Sequence, residues 1–195
     1  MFMGRPGSGK GTQAALLIEA LKKLDPEHKV LHLETGAELR AFNNGPTYTA
    51  ALNKRTQDKG GLLPEFMPIY AWAHALTQRY TGTEHIIFDG SPRKLLEGQL
   101  MEPLFPYYEL APHLIYLEVD HTESKKRLLL RGKTSGRKDD TEEAIERRKA
   151  EYEKLTHPTV DHFRASKTVK FHNVDGMGTI EEIHQRILKS LGLQK

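Results

Sequence analysis

The sequence contains no cysteine, which excludes disulfide bonds and thiolate-bound metals and is typical of a reducing, cytoplasmic environment. No apolar run approaches the roughly 20 residues that a membrane-spanning helix requires, so we expect no association with a membrane. The first residues also lack a basic segment followed by an apolar block, so no secretory signal is expected. The net charge is only +3, and acidic and basic residues are mixed without an extended basic face. Nucleic acid is therefore not an expected partner.

One stretch departs from this balance of charge. The segment KKRLLLRGKTSGRK, Lys125–Lys138, carries many cations and no acid. It is either a basic helix end that faces water or a segment that binds an anion. Charge alone does not choose between the two.

Length and composition fit one globular domain over residues 1–195, with 37% hydrophobic and 28% charged residues and no repeat or linker. Short β-like runs alternate with longer helical patterns, which is typical of an α/β fold with buried parallel strands. The predicted strands are VLHLE from Val30, HIIFD from His85, HLIYLEV from His113 and KTVKFHNV from Lys167. The predicted helices are residues 11–24, 64–80, 95–105, 122–131, 141–163 and 179–191.

A glycine-rich segment, GRPGSGKGT at Gly4–Thr12, lies between a short apolar run and a helical pattern. Small residues let consecutive backbone N–H groups turn toward a phosphate, and the positive end of the following helix adds to the attraction. Lys10 would bring a mobile charge to the β and γ phosphates. The hydroxyl residue comes one place late, because Gly11 separates Lys10 from Thr12. The segment is therefore predicted to be a phosphate-binding loop.

The longer pattern GxPGxGKGTQ, Gly4–Gln13, resembles adenylate kinase and its nucleoside monophosphate kinase relatives. Four further motifs follow in the order of that family and extend over nearly the whole chain. They are LETGAELR from Leu33, KGGLLP from Lys59, FDGSPR from Phe88, and RLLLRG with TSGRKDD and ERRKAEY from Arg127 onward. Any one of these four motifs would be weak evidence alone, whereas the ordered set is specific.

The resemblance implies a P-loop α/β/α fold of three layers with a five-stranded parallel sheet. It also implies a nucleoside monophosphate-binding helical segment at residues 34–63 and a short LID at residues 132–138, both candidates for movement. The implied reaction transfers the γ-phosphate of Mg·ATP reversibly to AMP and yields two ADP. Magnesium accompanies ATP, while the lack of cysteine argues against the cysteine-based zinc site of longer LIDs. A monomer is expected.

Residue roles carried over from the family fall into four sets. The implied ATP-binding residues are Gly7, Ser8, Gly9, Lys10, Gly11, Thr12, Arg127, Arg131 and Gly178, with Gly176 as an alternative to Gly178. The implied AMP-binding residues are Thr35, Gly36, Arg40, Gly61, Leu62, Leu63, Gly90, Ser91, Pro92, Arg93, Glu97, Arg137 and Arg148. The implied catalytic residues are Lys10, Arg93, Arg131, Arg137 and Arg148, since phosphoryl transfer needs converging positive charge. Asp89 would hold the water shell of Mg²⁺.

One position departs from the family pattern. Four residues after Arg93, adenylate kinases usually place a glutamine, whose amide accepts from the adenine amino group and donates to a ring nitrogen. Glu97 occupies this position and only accepts, which would suit CMP, UMP or GMP. Thr35 instead resembles adenylate kinase and favours AMP. Gln99 as a substitute, Glu97 as a tolerated surface residue, and a nucleotide-sensing module without efficient transfer are the remaining alternatives.

Several smaller features carry structural expectations. Only three residues precede the phosphate loop, so the first strand should be short, with Phe2 and Met3 supplying most of its packing. Trp72 is expected in the core. The ten histidines form no HExxH pattern, so they are interpreted as packing or surface residues. Asp139 and Asp140 either hold the LID arginines or cap the next helix.

Overall fold

The computed structural model describes residues 1–58, 61, 63–135 and 141–194. Its centre is one parallel sheet with the strand order β2-β3-β1-β4-β5, which confirms the predicted five-stranded parallel sheet. The strands are β1 Phe2–Met3, β2 Val30–Glu34, β3 His85–Asp89, β4 His113–Glu118 and β5 Lys170–Asp175. Among the residues described, no helix is long and apolar enough to cross a membrane.

The helices connect these strands. They are α1 Lys10–Leu24, α2 Thr35–Asn43, α3 Tyr48–Asp58, α4 Phe66–Arg79, α5 Leu95–Met101, α6 Leu104–Tyr107, α7 His121–Ser135, α8 Glu142–Glu151, α9 His157–Ala165 and α10 Ile180–Leu191. A π-helical turn, Tyr152–Thr156, joins α8 to α9.

Alternating strand residues contribute to two apolar clusters, one on each face of the sheet. Met3, Phe88 and Leu114 point to one face, where they pack with residues of α4, α5 and α9. Phe2 and Ile115 point to the other face, where they pack with α1 and α10. Because successive side chains of a strand face opposite sides, the two clusters make the molecule three-layered, as the resemblance implies.

Strand β1 is only two residues long but central, and Phe2 and Met3 are 1% and 2% exposed. Their predicted packing role is confirmed. Trp72 is also in the core, 4% exposed, with its ring edge-on to Phe88. The phosphate loop follows β1 directly, so it lies at the carboxyl edge of the sheet, beside the ends of β3 and β4.

Several predicted boundaries were wrong, and proline explains two of them. The predicted helix 95–105 breaks after Met101, since Pro103 has no N–H to continue the α-helical bonding. The predicted helix 141–163 is interrupted by the π-helical turn Tyr152–Thr156. This turn lies just before Pro158, which also lacks an N–H for the α-helical bonding. The predicted strand from Lys167 begins at Lys170, because Thr168 Oγ1 donates to Glu102 across a turn.

The two segments that are candidates for movement have defined helical structure in their described parts. The polar segment after β2 forms two helices, α2 and α3. Helix α7 continues through Gly132 to Ser135, beyond the predicted end at Arg131. The first half of the proposed short LID is thus helical, since a helix tolerates one glycine at a cost of about 1 kcal/mol. Residues 136–140 lie outside the described residues.

Candidate active site

The phosphate loop has the backbone geometry that its glycines predict. Gly9 is the N-cap of α1 with φ 93°, and Gly7 has φ 81°. A Cβ on Gly7 would lie 2.5 Å from the carbonyl oxygen of Ser124 in α7, so a side chain there has no room. The tight turn brings the first N–H groups of α1 to the carboxyl edge of the sheet. A helix leaves these donors without internal partners, and they attract anions.

The ammonium group of Lys10 lies inside this loop. It donates to the carbonyl oxygens of Gly4 and Arg5 at 2.7 Å and 3.0 Å, and more weakly to Ser8 Oγ at 3.4 Å. Ser8 itself is fully buried, whereas Gly11 and Thr12 are exposed on the first turn of α1. A phosphate bound in this loop would therefore replace the loop oxygens as the partner of the Lys10 ammonium group.

The electrostatic environment of Lys10 shows which charges converge on it. Burial is the main cause that lowers its pKa to about 7, and the positive charges of Arg93, Arg148 and Arg131 lower it further. The carboxylate of Asp89 acts in the opposite direction. Four of the five predicted catalytic residues are thus brought together, from the loop, from the segment after β3, and from α7 and α8. The fifth, Arg137, lies outside the described residues.

Asp89 ends β3 at the mouth of the loop. Its side chain is 14% exposed, and Oδ2 lies 3.5 Å from the position of a Cβ on Gly11. His32 Nε2 is 3.9 Å from Oδ2 and has no hydrogen-bond partner among the described residues. The sequence did not single out His32, although a polar residue in a mostly apolar strand was the available signal. Hard carboxylate oxygens beside a phosphate loop suit the hydrated Mg²⁺ of Mg·ATP.

The segment after β2 presents a hydroxyl and a guanidinium. Thr35 opens α2 and is 3% exposed, and its Oγ1 has no hydrogen-bond partner among the described residues. Arg40, one helical turn further, is exposed and donates from Nη2 to Glu34 Oε1 at 2.7 Å. A Cβ on Gly36 would lie 3.1 Å from Arg40 Nη1, so the glycine leaves space beside the guanidinium.

The loop after β3 forms a second cationic element. Gly90 has φ 83°, and its carbonyl oxygen accepts from Arg93 Nε at 2.9 Å. Ser91 and Pro92 are buried and joined by a cis peptide bond, and Ser91 Oγ has no hydrogen-bond partner among the described residues. The exposed guanidinium of Arg93 is thereby oriented by its own loop.

Glu97 is not a surface residue, so that alternative was wrong. Its side chain lies in the first turn of α5 and is 1% exposed, while Gln99 is exposed. Glu97 Oε2 accepts from the backbone N–H of Arg93 at 2.7 Å. The other oxygen, Oε1, is buried without a hydrogen-bond partner among the described residues. One carboxylate oxygen thus fixes the Arg93 loop, and the second remains as an acceptor.

The segment between α3 and α4 is described only in part. The N–H of Gly61 donates to the carbonyl oxygen of Thr56 at 2.9 Å, which closes the end of α3. Leu63 is buried against Leu39 of α2 and Met67 of α4. Leu62 lies outside the described residues, together with Lys59 and Gly60.

The basic residues of α7 make two kinds of contact. Arg127 Nε donates to Glu123 at 2.8 Å, and Lys125 pairs with Glu146 at 3.3 Å on α8. Arg131 and Arg148 are partly buried and engaged in interactions, and both act on Lys10. Part of the stretch therefore pairs with acids on the surface, while Arg131 faces the phosphate loop. Asp139 and Asp140 lie outside the described residues, and the N-cap of α8 is Thr141.

The turn from β5 to α10 separates the two candidate glycines. Gly176 is buried, and a Cβ there would lie 2.5 Å from Val119, which is a packing requirement. Gly178 is exposed with φ 107°, next to the Thr179 capping box of α10. Gln13, to which the sequence assigned no role, donates from Nε2 to the carbonyl oxygen of Ile180 at 2.9 Å. This bond ties the phosphate-loop helix to the same turn.

Comparison with known proteins agrees with this geometry. A profile of the family described as "Adenylate kinase" matches residues 2–168. The adenylate kinase of Flavobacterium psychrophilum is 35% identical over 96% of this chain and 94% of its own length. That of Porphyromonas gingivalis is 36% identical over 96% and 92%, and that of Thermus thermophilus is 33% identical over 99% and 96%. The chain therefore belongs to the adenylate kinase family.

Proposed function

We propose that the cations converging on Lys10 carry out the reaction of this family, the reversible transfer of the γ-phosphate of Mg·ATP to AMP. The chain is an ATP:AMP phosphotransferase by its family and its relatives. The observation that carries the residue assignment is the effect of Arg93, Arg131 and Arg148 on the pKa of Lys10. This clustering of positive charge is unfavourable without a ligand. The negatively charged oxygens of two nucleotides would make it favourable.

Donor binding is assigned to the phosphate loop. The N–H groups at the start of α1 and the ammonium of Lys10 bind the β and γ phosphates, and the Lys10 bonds to Gly4 and Arg5 are exchanged for phosphate oxygens. Arg127 and the turn at Gly178 are assigned to the adenine of ATP. Arg127 then exchanges its contact with Glu123 for the base.

Acceptor binding is assigned to the elements that follow β2 and β3. Arg40 and Arg93 bind the phosphate of AMP, since both are exposed guanidinium groups at the carboxyl edge of the sheet. Thr35 Oγ1 and Ser91 Oγ are buried groups with hydrogen-bonding capacity to spare in the structure described. By the family pattern, we assign the nucleoside pocket to the remaining acceptor residues, which are Gly36, Gly61, Leu62, Leu63, Gly90 and Pro92.

Phosphoryl transfer requires positioning and neutralisation of charge rather than covalent catalysis. Lys10, Arg131, Arg137 and Arg148 are assigned to the transferring group. Asp89 would hold the Mg²⁺ of Mg·ATP through its water shell, and the ion would supply charge neutralisation at the phosphates. Closure of the LID and of the acceptor segment over both nucleotides would exclude water and prevent hydrolysis.

Base selection is assigned to Glu97. Its unpartnered Oε1 accepts from the amino group of adenine, while Oε2 keeps its bond to the N–H of Arg93. This use of one oxygen for the base and one for the loop lets a glutamate serve in place of the usual glutamine.

The test is a coupled assay of ADP formation with Mg·ATP and AMP, CMP, UMP or GMP, with a Lys10→Met variant beside the wild type. We expect the highest kcat/KM with AMP and a loss of at least about 10²-fold in kcat on removal of the Lys10 charge. Preference for another monophosphate would overturn the assignment of Glu97. Absence of transfer to all four would overturn the proposed function.

The oligomeric state and the cellular setting are proposed from the origin of the site residues and from the composition. All assigned residues come from one chain, so the site needs no second copy and we expect a monomer. The lack of cysteine and the small net charge favour the cytoplasm and argue against nucleic acid as a partner. Light scattering of the purified protein tests the monomer directly.

A further inference from the structure

A cluster of metal-ligating side chains lies at the amino edge of the sheet, at the opposite end of the strands from the phosphate loop. Asp25 caps the C-terminus of α1, His28 lies in the turn that leads to β2, and His85 opens β3. The backbone holds them together, because the N–H of His85 donates to the carbonyl oxygen of Lys29 at 2.8 Å. Residues from three elements therefore meet at one point.

The carboxylate of Asp25 contacts both imidazoles through different oxygens. Oδ1 is 2.8 Å from His28 Nδ1, and Oδ2 is 2.9 Å from His85 Nε2. One ligand atom from each residue lies within 4.8 Å of the other two. Tetrahedral zinc with bonds of about 2.0–2.2 Å requires ligand atoms roughly 3.3 Å apart. The two separations from Asp25 are within about 0.5 Å of this value.

We propose that Asp25, His28 and His85 bind one Zn²⁺ ion, with water in the remaining position. Two imidazole nitrogens and one carboxylate select zinc and its neighbours over Mg²⁺, which prefers a shell of oxygen ligands. The three side chains are 37%, 48% and 35% exposed, so water and the ion have access. The sequence led us to expect no zinc, because it contains no cysteine and its histidines form no HExxH pattern.

The surrounding charges set the conditions for binding. The hydrogen bond to His28 is the main cause that lowers the pKa of Asp25, so the carboxylate is ionised at neutral pH. The same bond raises the pKa of His28, and zinc competes with the proton for this imidazole. Lys22 and Lys29 line the adjacent surface depression and oppose a cation, whereas Glu27 favours one.

The bound ion would cross-link the end of α1 to the start of β3. Asp25 and His85 are 60 residues apart in sequence, so only the folded chain presents all three ligands. A ligand that binds only the folded state stabilises it in proportion to the logarithm of its concentration over Kd. The site is remote from the nucleotides, so zinc should change stability while kcat and KM stay the same.

The experiment is titration of the chelator-treated full-length protein with Zn²⁺, without nucleotide, by calorimetry and by thermal melting, with Co²⁺ as a spectroscopic probe. We expect one site, and a rise in Tm of about 5–10 °C at a hundredfold excess over Kd. His28→Gln and His85→Gln should each weaken binding at least tenfold while Tm without metal and kinase activity stay near wild type.

The matched control is His157→Gln. His157 Nδ1 lies 3.2 Å from Asp161 in an exposed pair, and no second imidazole joins this pair among the described residues. This variant should bind zinc as the wild type does. Absence of binding to the wild type, or equal binding after removal of His28 or His85, would overturn the proposal. Loss of binding in Asp89→Asn instead would also overturn it, by placing the ion at the nucleotide site.

Discussion

The carboxylate of Glu97 accepts a 2.7 Å hydrogen bond from the backbone N–H of Arg93, four residues earlier. The N-cap residue of α5, Lys94, makes no side-chain cap, so Glu97 satisfies a donor just before the helix. A glutamate and a glutamine can both accept this bond. Glutamate in place of the usual glutamine therefore leaves the loop geometry intact. Only the second group of the side chain differs, which is the oxygen Oε1 instead of an NH₂.

Replacement of Glu97 by glutamine should exchange one contact with the base for another. The amide oxygen keeps the bond to Arg93, so the NH₂ group takes the place of Oε1: the acceptor for the adenine amino group is lost and a donor to a ring nitrogen is gained. Each contact is worth about 0.5–1.5 kcal/mol and the two changes offset, so we expect KM for AMP to stay within about threefold of the wild type with kcat little changed. Steady-state kinetics at saturating Mg·ATP measure this.

Glu97→Leu is the control, because it removes both functions. It should lower the free energy of unfolding by about 1–3 kcal/mol, since the Arg93 N–H loses its partner. Loss of the acceptor at Oε1 should also raise KM for AMP in this variant. An unchanged KM for AMP together with unchanged stability in Glu97→Leu would place Glu97 outside the acceptor pocket.

The ion pair between Glu34 and Arg40 competes with the phosphate of AMP. In the structure Glu34 holds the guanidinium at 2.7 Å, and both side chains are well exposed. An exposed pair of this kind is worth about 0.2–1 kcal/mol. Glu34→Gln should therefore lower KM for AMP by up to about fivefold and leave KM for ATP unchanged.

Glu38→Gln provides the comparison for this prediction. Glu38 lies on α2, as Arg40 does, but pairs with Arg79. Glu38→Gln therefore removes the same surface charge as Glu34→Gln without freeing Arg40. A KM for AMP that falls equally in both variants would indicate a general charge effect. That result would contradict direct competition at Arg40.

Helix α5 packs against α9 through Gly98. A Cβ at this position would lie 3.0 Å from Cε2 of Phe163 and 3.0 Å from Cγ2 of Thr159. Alanine gains about 1 kcal/mol in helix propensity, but overpacking costs about 1–3 kcal/mol. We expect Gly98→Ala to lower Tm by about 2–4 °C in thermal melts. Adding Thr159→Ser, which removes Cγ2 and keeps the hydroxyl, should recover part of the loss.

The sequence predicted best what depends on neighbouring residues. The strands at Val30 and His85 agree with the predicted ranges, because both are short apolar runs with polar or turn residues on either side. The loop around Lys10 was equally well predicted, since its glycines specify the backbone locally.

Features that depend on tertiary contacts escaped the sequence. The burial of Glu97 results from packing around α5, and no periodicity distinguishes it from a surface residue. The meeting of Asp25 with His85 requires the parallel register of β2 and β3. The extension of α7 through Gly132 contradicts a local turn signal, because a helix can absorb one glycine at modest cost.

The stability of the protein should depend on pH through Lys10. Its pKa in the folded protein is about 7, against an ordinary value of 10.5, with burial as the main cause. Between these two pH values the unfolded chain binds more protons, so this residue's contribution to the free energy of unfolding rises with pH. Below about pH 7 Lys10 is protonated in both the folded and the unfolded state. The buried cation beside Arg93, Arg131 and Arg148 then lowers the free energy of unfolding by its full amount.

Lys10→Met removes this titration, and that gives the measurement. The Tm of the variant minus that of the wild type, without nucleotide, should be greatest below pH 7 and should decrease toward pH 10. ATP should reverse the shift, since phosphate oxygens favour the charged ammonium. Binding at pH 8 should therefore take up part of a proton, measured by calorimetry in two buffers of different ionisation enthalpy. A Tm difference independent of pH, or equal proton uptake by wild type and variant, would show that Lys10 is already charged in the free enzyme.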